Sequence, residues 1–342
     1  QGSRIILRNI LRSPVRSLLT MSGVAASVGL LVLAMQWNDS LNYLGQSYFY
    51  NAQHQDATIG FAEPQSDTIV RDFEHLPGVL AVEPMRIVRA DLSVGPVTHR
   101  GSLTGLKHDA WLQPIFDDAT SRVIPVPPDG LVLGTVLAEK LGVSIGDNVW
   151  LEVLEGRRPE LSLPVVGLVE TYIAMPAFIS IDALNRMLKE RPSAGYVNVL
   201  VDRRHEAAFY ARLKQQPLVS AVMLRQAAID SFYGTIVEHI MVFITLFSAL
   251  ACALGFGVAY NSARIALSER GRELATLRVL GLSRGEISYI LLGEIGFLIT
   301  LALPFGCLLG RGLSELMAAA FNTELFRVPL TIEPSTYGLS VI

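Results

Sequence analysis

Three runs almost free of charge decide what this chain can fold into. Residues 17–36 give twenty consecutive uncharged positions, 240–263 give twenty-four, and 287–310 give twenty-four more, interrupted by Glu294 alone. A helix rises 1.5 Å per residue, so each run can cross a hydrocarbon core of about 30 Å, where a segment must satisfy its own backbone hydrogen bonds. The runs therefore predict membrane-spanning helices. A chain that is 51% hydrophobic and 17% charged agrees with this and excludes a wholly soluble or disordered protein.

Before the first run, Arg4, Arg8, Arg12 and Arg16 recur every fourth residue, so their guanidinium groups share one broad helical stripe. Residues 1–16 read as a basic amphipathic helix on a membrane surface, with a bend expected near Pro14. Ser22, Gly23, Ala25, Ala26, Ser27 and Gly29 make the first span small along its length, which suits packing against another helix. Trp37, Leu41, Leu44 and Tyr48 extend the helical pattern into a stalk over 37–55.

The texture then changes. From 56 to 224, short β-rich runs are separated by Gly, Pro and Asp with helical pieces between them, which predicts a large α+β domain. A weak internal repeat lies within it: the stretch from Val70 to Val82 resembles that from Tyr210 to Val222. Each copy is a helix end, a Pro turn and a strand, and each follows a candidate strand, 56–61 and 196–201. Two β-α-β units packed side by side are expected, with a strand-rich subdomain inserted between them; coincidence is the competing explanation for two copies. The glycines at 130, 134, 142 and 146 read as turn and helix-cap positions, because the chain has no G-x-x-x-x-G-K-[ST] motif to make them a phosphate loop.

A second stalk is expected over 225–239, a second span over 240–263 and a third over 287–310, the last bent by Pro304 and its glycines. A shorter outer loop then covers 311–334, and a fourth span begins in 335–342. The sequence opens without Met and stops as an apolar run begins, so a fragment of a longer protein is expected. Charge orients the spans. The segment before the first carries four arginines and no acid, and 264–286 carries five arginines against three glutamates, whereas 37–234 holds 23 acids and 17 bases. Short Arg-rich segments lie on the cytoplasmic side, which puts the large domain outside. Basic clusters this short, flanking apolar runs, make nucleic acid an unsuitable partner.

The segment 264–286 alternates apolar and charged residues at helical spacing. Arg270 and Glu273 stand at i,i+3, Gly281 fits a helix end, and Ser283-Arg284-Gly285-Glu286 has capping-box form. It is either a loop whose arginines set topology or a coupling element. Glu294, inside a span, is either a structural hydrogen-bonding group or a proton-coupling one, with the structural role favoured. The six histidines are scattered without metal-ligand spacing, the paired acids Asp117 and Asp118 read as solvated loop residues, and no nucleophile motif occurs. Cys252 and Cys307 both fall in apolar runs, which leaves no disulfide framework. No catalytic constellation, metal site or cofactor is expected.

Taken together, the stretch Leu7 to Arg16 entering a small-residue span, the outer domain of roughly 200 residues, and the loop from Leu267 to Gly281 with Glu286 and Glu294 after it resemble the FtsX/MacB/LolE-type ABC transporter permeases. The resemblance covers essentially the whole chain. It implies a helical transmembrane bundle with a large α+β periplasmic domain, multi-pass in the bacterial inner membrane. It also implies a dimeric cytoplasmic ATPase subunit as partner and a second permease unit, supplied either by an intramolecular repeat or by a homodimer. Glu269, Arg270, Glu273, Leu274, Leu277, Arg278 and Gly281 would then be the ATPase-coupling residues, and Arg4, Arg8, Arg12 and Arg16 would rest on membrane lipid. The implied activity is export or extraction of a hydrophobic or lipidated substrate. A transmembrane regulator of a periplasmic hydrolase and a non-transporting ligand sensor are the alternatives.

Overall fold

The computed structural model describes residues 14–156, 158–269, 284–321 and 327–341. The chain divides into two units: residues 1–43, 235–321 and 328–342 form one, and 44–234 with 322–327 form the other.

The first unit is helical. Helix α1 (Pro14–Gln46) carries the first apolar run. The second and third runs lie on two further long helices (Glu238–Glu269 and Arg284–Phe321), and a short helix (Pro334–Val341) ends the described chain. Among the described residues, three helices are long and apolar enough to cross a membrane, with mean hydropathies of 2.1, 2.2 and 1.9. The apolar window of the first is 44% buried against 11% and 22% for the others, so α1 is the helix the rest pack around. The third helix is continuous through Pro304 and runs eleven residues past the span end expected at 310. Leu313, Leu316 and Ala318 to Ala320 continue a helix-forming sequence there, and Arg311 pairs with Glu315 one turn on at 3.1 Å.

The second unit is built on strand pairing. Strand β1 (Ala57–Ser66), α2 (Thr68–Glu74) and the long β2 (Val79–Val94) form one β-α-β unit, and β10 (Ser193–Val201), α5 (Glu206–Leu213) and β11 (Val219–Leu224) form the other. They interleave in the order β11-β1-β10-β2, all neighbours antiparallel, so each unit inserts a strand between the two strands of the other. Ile59, Val197 and Val199 point from the sheet to meet Phe73 and Phe209 from the two helices, and Phe209 is wholly buried. The two Pro turns differ. Gly78, after Pro77, has φ +81°, and a Cβ there would stand 2.2 Å from that of His205, so only glycine fits where Asp202 N donates to the Gly78 carbonyl.

Between the units the chain adds β3 (Val97–Leu106), β4 (Ile115–Asp117), β5 (Arg122–Ile124), β6 (Leu131–Gly134), α3 (Thr135–Leu141), β7 (Asn148–Val153), β8 (Glu160–Val169), β9 (Ala177–Ser180) and α4 (Ile181–Leu188). The second half of β2 pairs with β3, and the order β2-β3-β9-β6-β8-β7 returns to β2 through β7. The inserted subdomain is thus a closed six-stranded barrel. Closure removes exposed strand edges and gives the inward residues one core. Val88, Ala90 and Leu92 of β2 face Val149, Leu151 and Val153 of β7, with Leu137 and Leu184 from α3 and α4 packed against them. Gly142 ends α3 in a left-handed conformation, and the Gly134 amide donates to Pro176 O. The α+β architecture expected from the sequence, two β-α-β units and a strand-rich insert, is the one observed. Here α6 (Arg225–Ser231) follows β11, and the two long helices that come next are α7 (Glu238–Glu269) and α8 (Arg284–Phe321), with α9 (Pro334–Val341) last.

Candidate functional site

In the helical unit, α1 and α8 meet where glycines of α8 lie against Val28 and Val32 of α1. A Cβ added at Gly306 would lie 2.7 Å from Val28 Cβ and 3.0 Å from the Ala25 carbonyl oxygen, and one at Gly310 would lie 2.6 Å from Val32 Cβ and 3.0 Å from Gly29 O. Close backbone approach of this kind compensates for the weak drive of helix association in lipid. The opposite face of α1 receives α7, since a Cβ at Gly255 would meet Ser27 Oγ at 2.7 Å and one at Gly23 would meet Val258 at 3.0 Å. Of the small residues singled out in the first span, Ala25, Ser27 and Gly29 are buried while Ser22 and Ala26 remain exposed. The glycines of the third run that were expected to bend it include two that serve this contact.

Polar residues fix both ends of α1. Arg16 Nη2 donates to Ser262 O at 3.1 Å, and Thr20 and Ser262 share a hydroxyl hydrogen bond of 2.9 Å. At the other end Gln36 Nε2 donates to Ser40 Oγ, which donates to the carbonyl of Pro329. Asp39, buried, accepts hydrogen bonds from Glu333 N at 3.0 Å and Thr336 Oγ1 at 2.6 Å, holding the start of α9. Asp39 was missed in the sequence. The available signal was Gln36, Asp39 and Ser40 at i, i+3 and i+4, a polar face at the end of an apolar helix.

Among the sequence-derived residues, Glu294 is buried on α8 at 5% exposure. Arg16 opens α1 and is bonded as above, and Glu269 is the last residue of α7. Arg4, Arg8, Arg12, Arg270, Glu273, Leu274, Leu277, Arg278 and Gly281 lie outside the described residues.

In the second unit the short π-helical turn Ser47–Asn51 meets the first residue of another, Phe232–Val237. Phe49 and Phe232 meet edge to face at 5.5 Å. Carbonyls left over near the wide turn are satisfied by Arg225, whose Nη1 donates to Phe49 O at 3.2 Å and Gln53 O at 3.1 Å. Arg225 also lies 3.7 Å from Asp56.

Asp117 and Asp118, expected to be solvated, are not. The reason is that β4 packs against the end of β8 and the chain after it. Asp117 accepts hydrogen bonds from Thr120 Oγ1 at 2.6 Å and Glu170 N at 2.9 Å. Burial pushes its carboxyl up, but these donors outweigh it and hold the pKa below the usual range. For Asp118 burial wins: the pKa is raised despite hydrogen bonds from Ser47 and Tyr172 N, and the charges of Asp117 and Glu170 add to the rise. Glu83 is likewise raised by burial, against donation from Trp111 and Leu112 backbone N–H groups. Arg327 bridges Glu139 at 2.7 Å and Glu170 at 3.4 Å and donates its amide to Tyr172 O.

Residues 245–342, which cover α8, α9 and most of α7, match the family described as FtsX-like permease C-terminal. The likeness to that family is confined to this stretch. The chain is also similar to the lipoprotein-releasing system transmembrane protein LolC of Neisseria meningitidis serogroup B, at 29% identity over 338 residues, with 88% of this chain and 79% of LolC covered. Its solved neighbours include the extracellular domain of the noncanonic ABC-type transporter YknZ from Gram-positive bacteria, at 13% identity and a TM-score of 0.36 over 50% of this chain and 98% of that one. They also include the periplasmic region of MacB from Actinobacillus actinomycetemcomitans, at 11% identity and a TM-score of 0.36 over 57% and 99%. With three apolar spans among its described residues and these likenesses, the protein is a multi-pass inner-membrane protein.

Proposed function

We propose that this permease couples ATP hydrolysis by a separate cytoplasmic ATPase dimer to shape changes in its outer domain, and thereby exports or extracts a hydrophobic or lipidated substrate. The match of residues 245–342 to the FtsX-like permeases carries the reading. The likeness to LolC, a lipoprotein-releasing system protein by name, supports the substrate class. No G-x-x-x-x-G-K-[ST] motif occurs in the sequence, so hydrolysis is assigned to the partner. In this reading Glu269, Arg270, Glu273, Leu274, Leu277, Arg278 and Gly281 form the coupling segment, its leucines giving apolar contacts and its charges polar ones. Arg4, Arg8 and Arg12 lie on the inner leaflet with Arg16 at the membrane end of that stripe. Glu294 is a structural polar group of the bundle, and a second permease unit, from a repeat or a second copy, completes the assembly.

The coupling assignment is tested by replacing Leu274 and Leu277 with Asp. The double variant should insert into the membrane at normal levels and lose co-purification of the ATPase, because two carboxylates cannot be desolvated in an apolar contact. ATPase retained at the wild-type ratio would remove the assignment.

A further inference from the structure

The interleaved sheet has an open side. Strand β11 pairs with β1 alone, and after one register shift Ala221 to Leu224 run in unbroken antiparallel register with Gly60 to Ala57. Bonded and non-bonded pairs alternate along such a ladder. Arg225 N donates to Asp56 O at 3.0 Å, which makes 58/223 and 60/221 the next bonded pairs. The N–H and C=O of Val222 therefore point away from β1, to a side where no described strand takes them. Exposed edges are ordinarily blunted by a charge or a proline within the strand. Val219 to Leu224 contain neither, and Val222 and Met223 are 40% and 54% exposed.

The side chain of Val222 lines a groove of about 380 Å³ between β11 and α5, shared with Tyr210, Leu213 and Leu224. Lys214 is the one charged residue lining it, and it has no ion pair among the described residues. Lys214 precedes β11, whereas Leu224 closes the strand, so the positive charge stands at the end where β11 begins. A strand added antiparallel at Val222 brings its own C-terminal residues to that end, where a carboxylate would meet Lys214. A second copy of β11 fits poorly: it carries no acid, and at that end its chain continues into Arg225. A strand of six residues with one groove beside it is also smaller than the ~800 Å² per partner of a standard protein interface, and suits a short extended segment.

We propose that the open edge of β11 binds a partner protein by strand addition. The partner supplies an extended segment antiparallel to β11, with apolar residues at alternate positions facing the groove and an acidic residue toward its C-terminal end, beside Lys214. The proposal goes beyond the transport reading, since it concerns the second unit alone and requires no ATPase.

The probe is a fluorescein-labelled octapeptide of alternating threonine and valine ending in glutamate, its C-terminus amidated, titrated with the full chain in detergent and read by fluorescence anisotropy. It should bind saturably at one site, and the same peptide ending in lysine should bind at least fivefold more weakly. Lys214→Glu should reverse that preference. Val222→Pro removes an N–H that β1 does not use, and should abolish binding at an unchanged unfolding temperature. If Val222→Pro lowers the unfolding temperature, the charge reversal at Lys214 decides alone. No saturable binding, equal affinity for the two peptides, a preference unaltered by Lys214→Glu, binding retained by a folded Val222→Pro, or a dimer of the full chain that Val222→Pro dissociates would each overturn the proposal.

Discussion

At the scale of single residues, the most consequential positions in the helical unit are those that present nothing. Gly306 and Gly310 bring α8 against the backbone of α1 at Ala25 and Gly29, where approach distances of 2.6 to 3.0 Å for an added Cβ leave no room for a methyl. Gly312, two residues on in the same helix, has nothing within 4 Å of an added Cβ. Gly306→Ala and Gly310→Ala should each destabilise the helical unit by about 1–3 kcal/mol through overpacking, whereas Gly312→Ala should be neutral or slightly stabilising because alanine is the better helix former. Unfolding in mixed micelles with increasing denaturing detergent measures all three, and equal effects at 310 and 312 would sink the close-contact account. The small-residue stripe of the first span announced half of this contact from sequence alone. Its partner was harder to recognise, because the glycines of the third run, read beside Pro304, suggested a bend and carried no local sign of which helix lay opposite. Asp118 was misjudged for a related reason: adjacent acids look solvated until a distant strand end and a hydroxyl from another helix are known to cover them.

At the scale of elements, β2 is the component that serves two structures. Its first half pairs with β10 in the interleaved sheet, and its second half pairs with β3 and β7 in the barrel. Arg86 sits at the change of partner, 3% exposed, paired with Glu190 at 2.8 Å and bonded to Ser193. A strand shared this way couples the two cores. Leu151→Ala, at a barrel position of 1% exposure, should cost about 2–5 kcal/mol, and the loss should appear beyond the barrel. Hydrogen exchange of the full chain should rise in peptides of β10 as well as of β7. Faster exchange confined to the barrel would mean that the two cores open independently. The β-α-β pair was legible because its repeat is local, a helix, a Pro turn and a strand within thirteen residues. The barrel was legible only as strand richness, since its closure depends on β7 returning to a strand more than fifty residues earlier, a pairing that no local pattern encodes.

At the scale of the whole molecule, charge and apolar length together decided more than any motif. Uncharged runs of twenty or more residues fixed the spans, and the excess of arginine in the short segments fixed their direction. The large domain is indifferent to that rule, since long segments cross whatever their charge, so its side follows from the short ones. The proposed ATPase partner and substrate class rest on the family likeness, which charge does not supply. The topology makes a prediction that neither fold nor family can rescue if it fails. In a background lacking Cys252 and Cys307, Trp150→Cys, at a side chain 56% exposed on the barrel, should react with a membrane-impermeant maleimide added outside intact spheroplasts. Arg272→Cys, in the segment between the second and third spans, should react only after the membrane is opened. One span, 240–263, separates the two positions, so a reversed pattern would invert the assigned orientation and would also withdraw the coupling role from 264–286, since a segment on the outer side has no ATP-hydrolysing partner to meet.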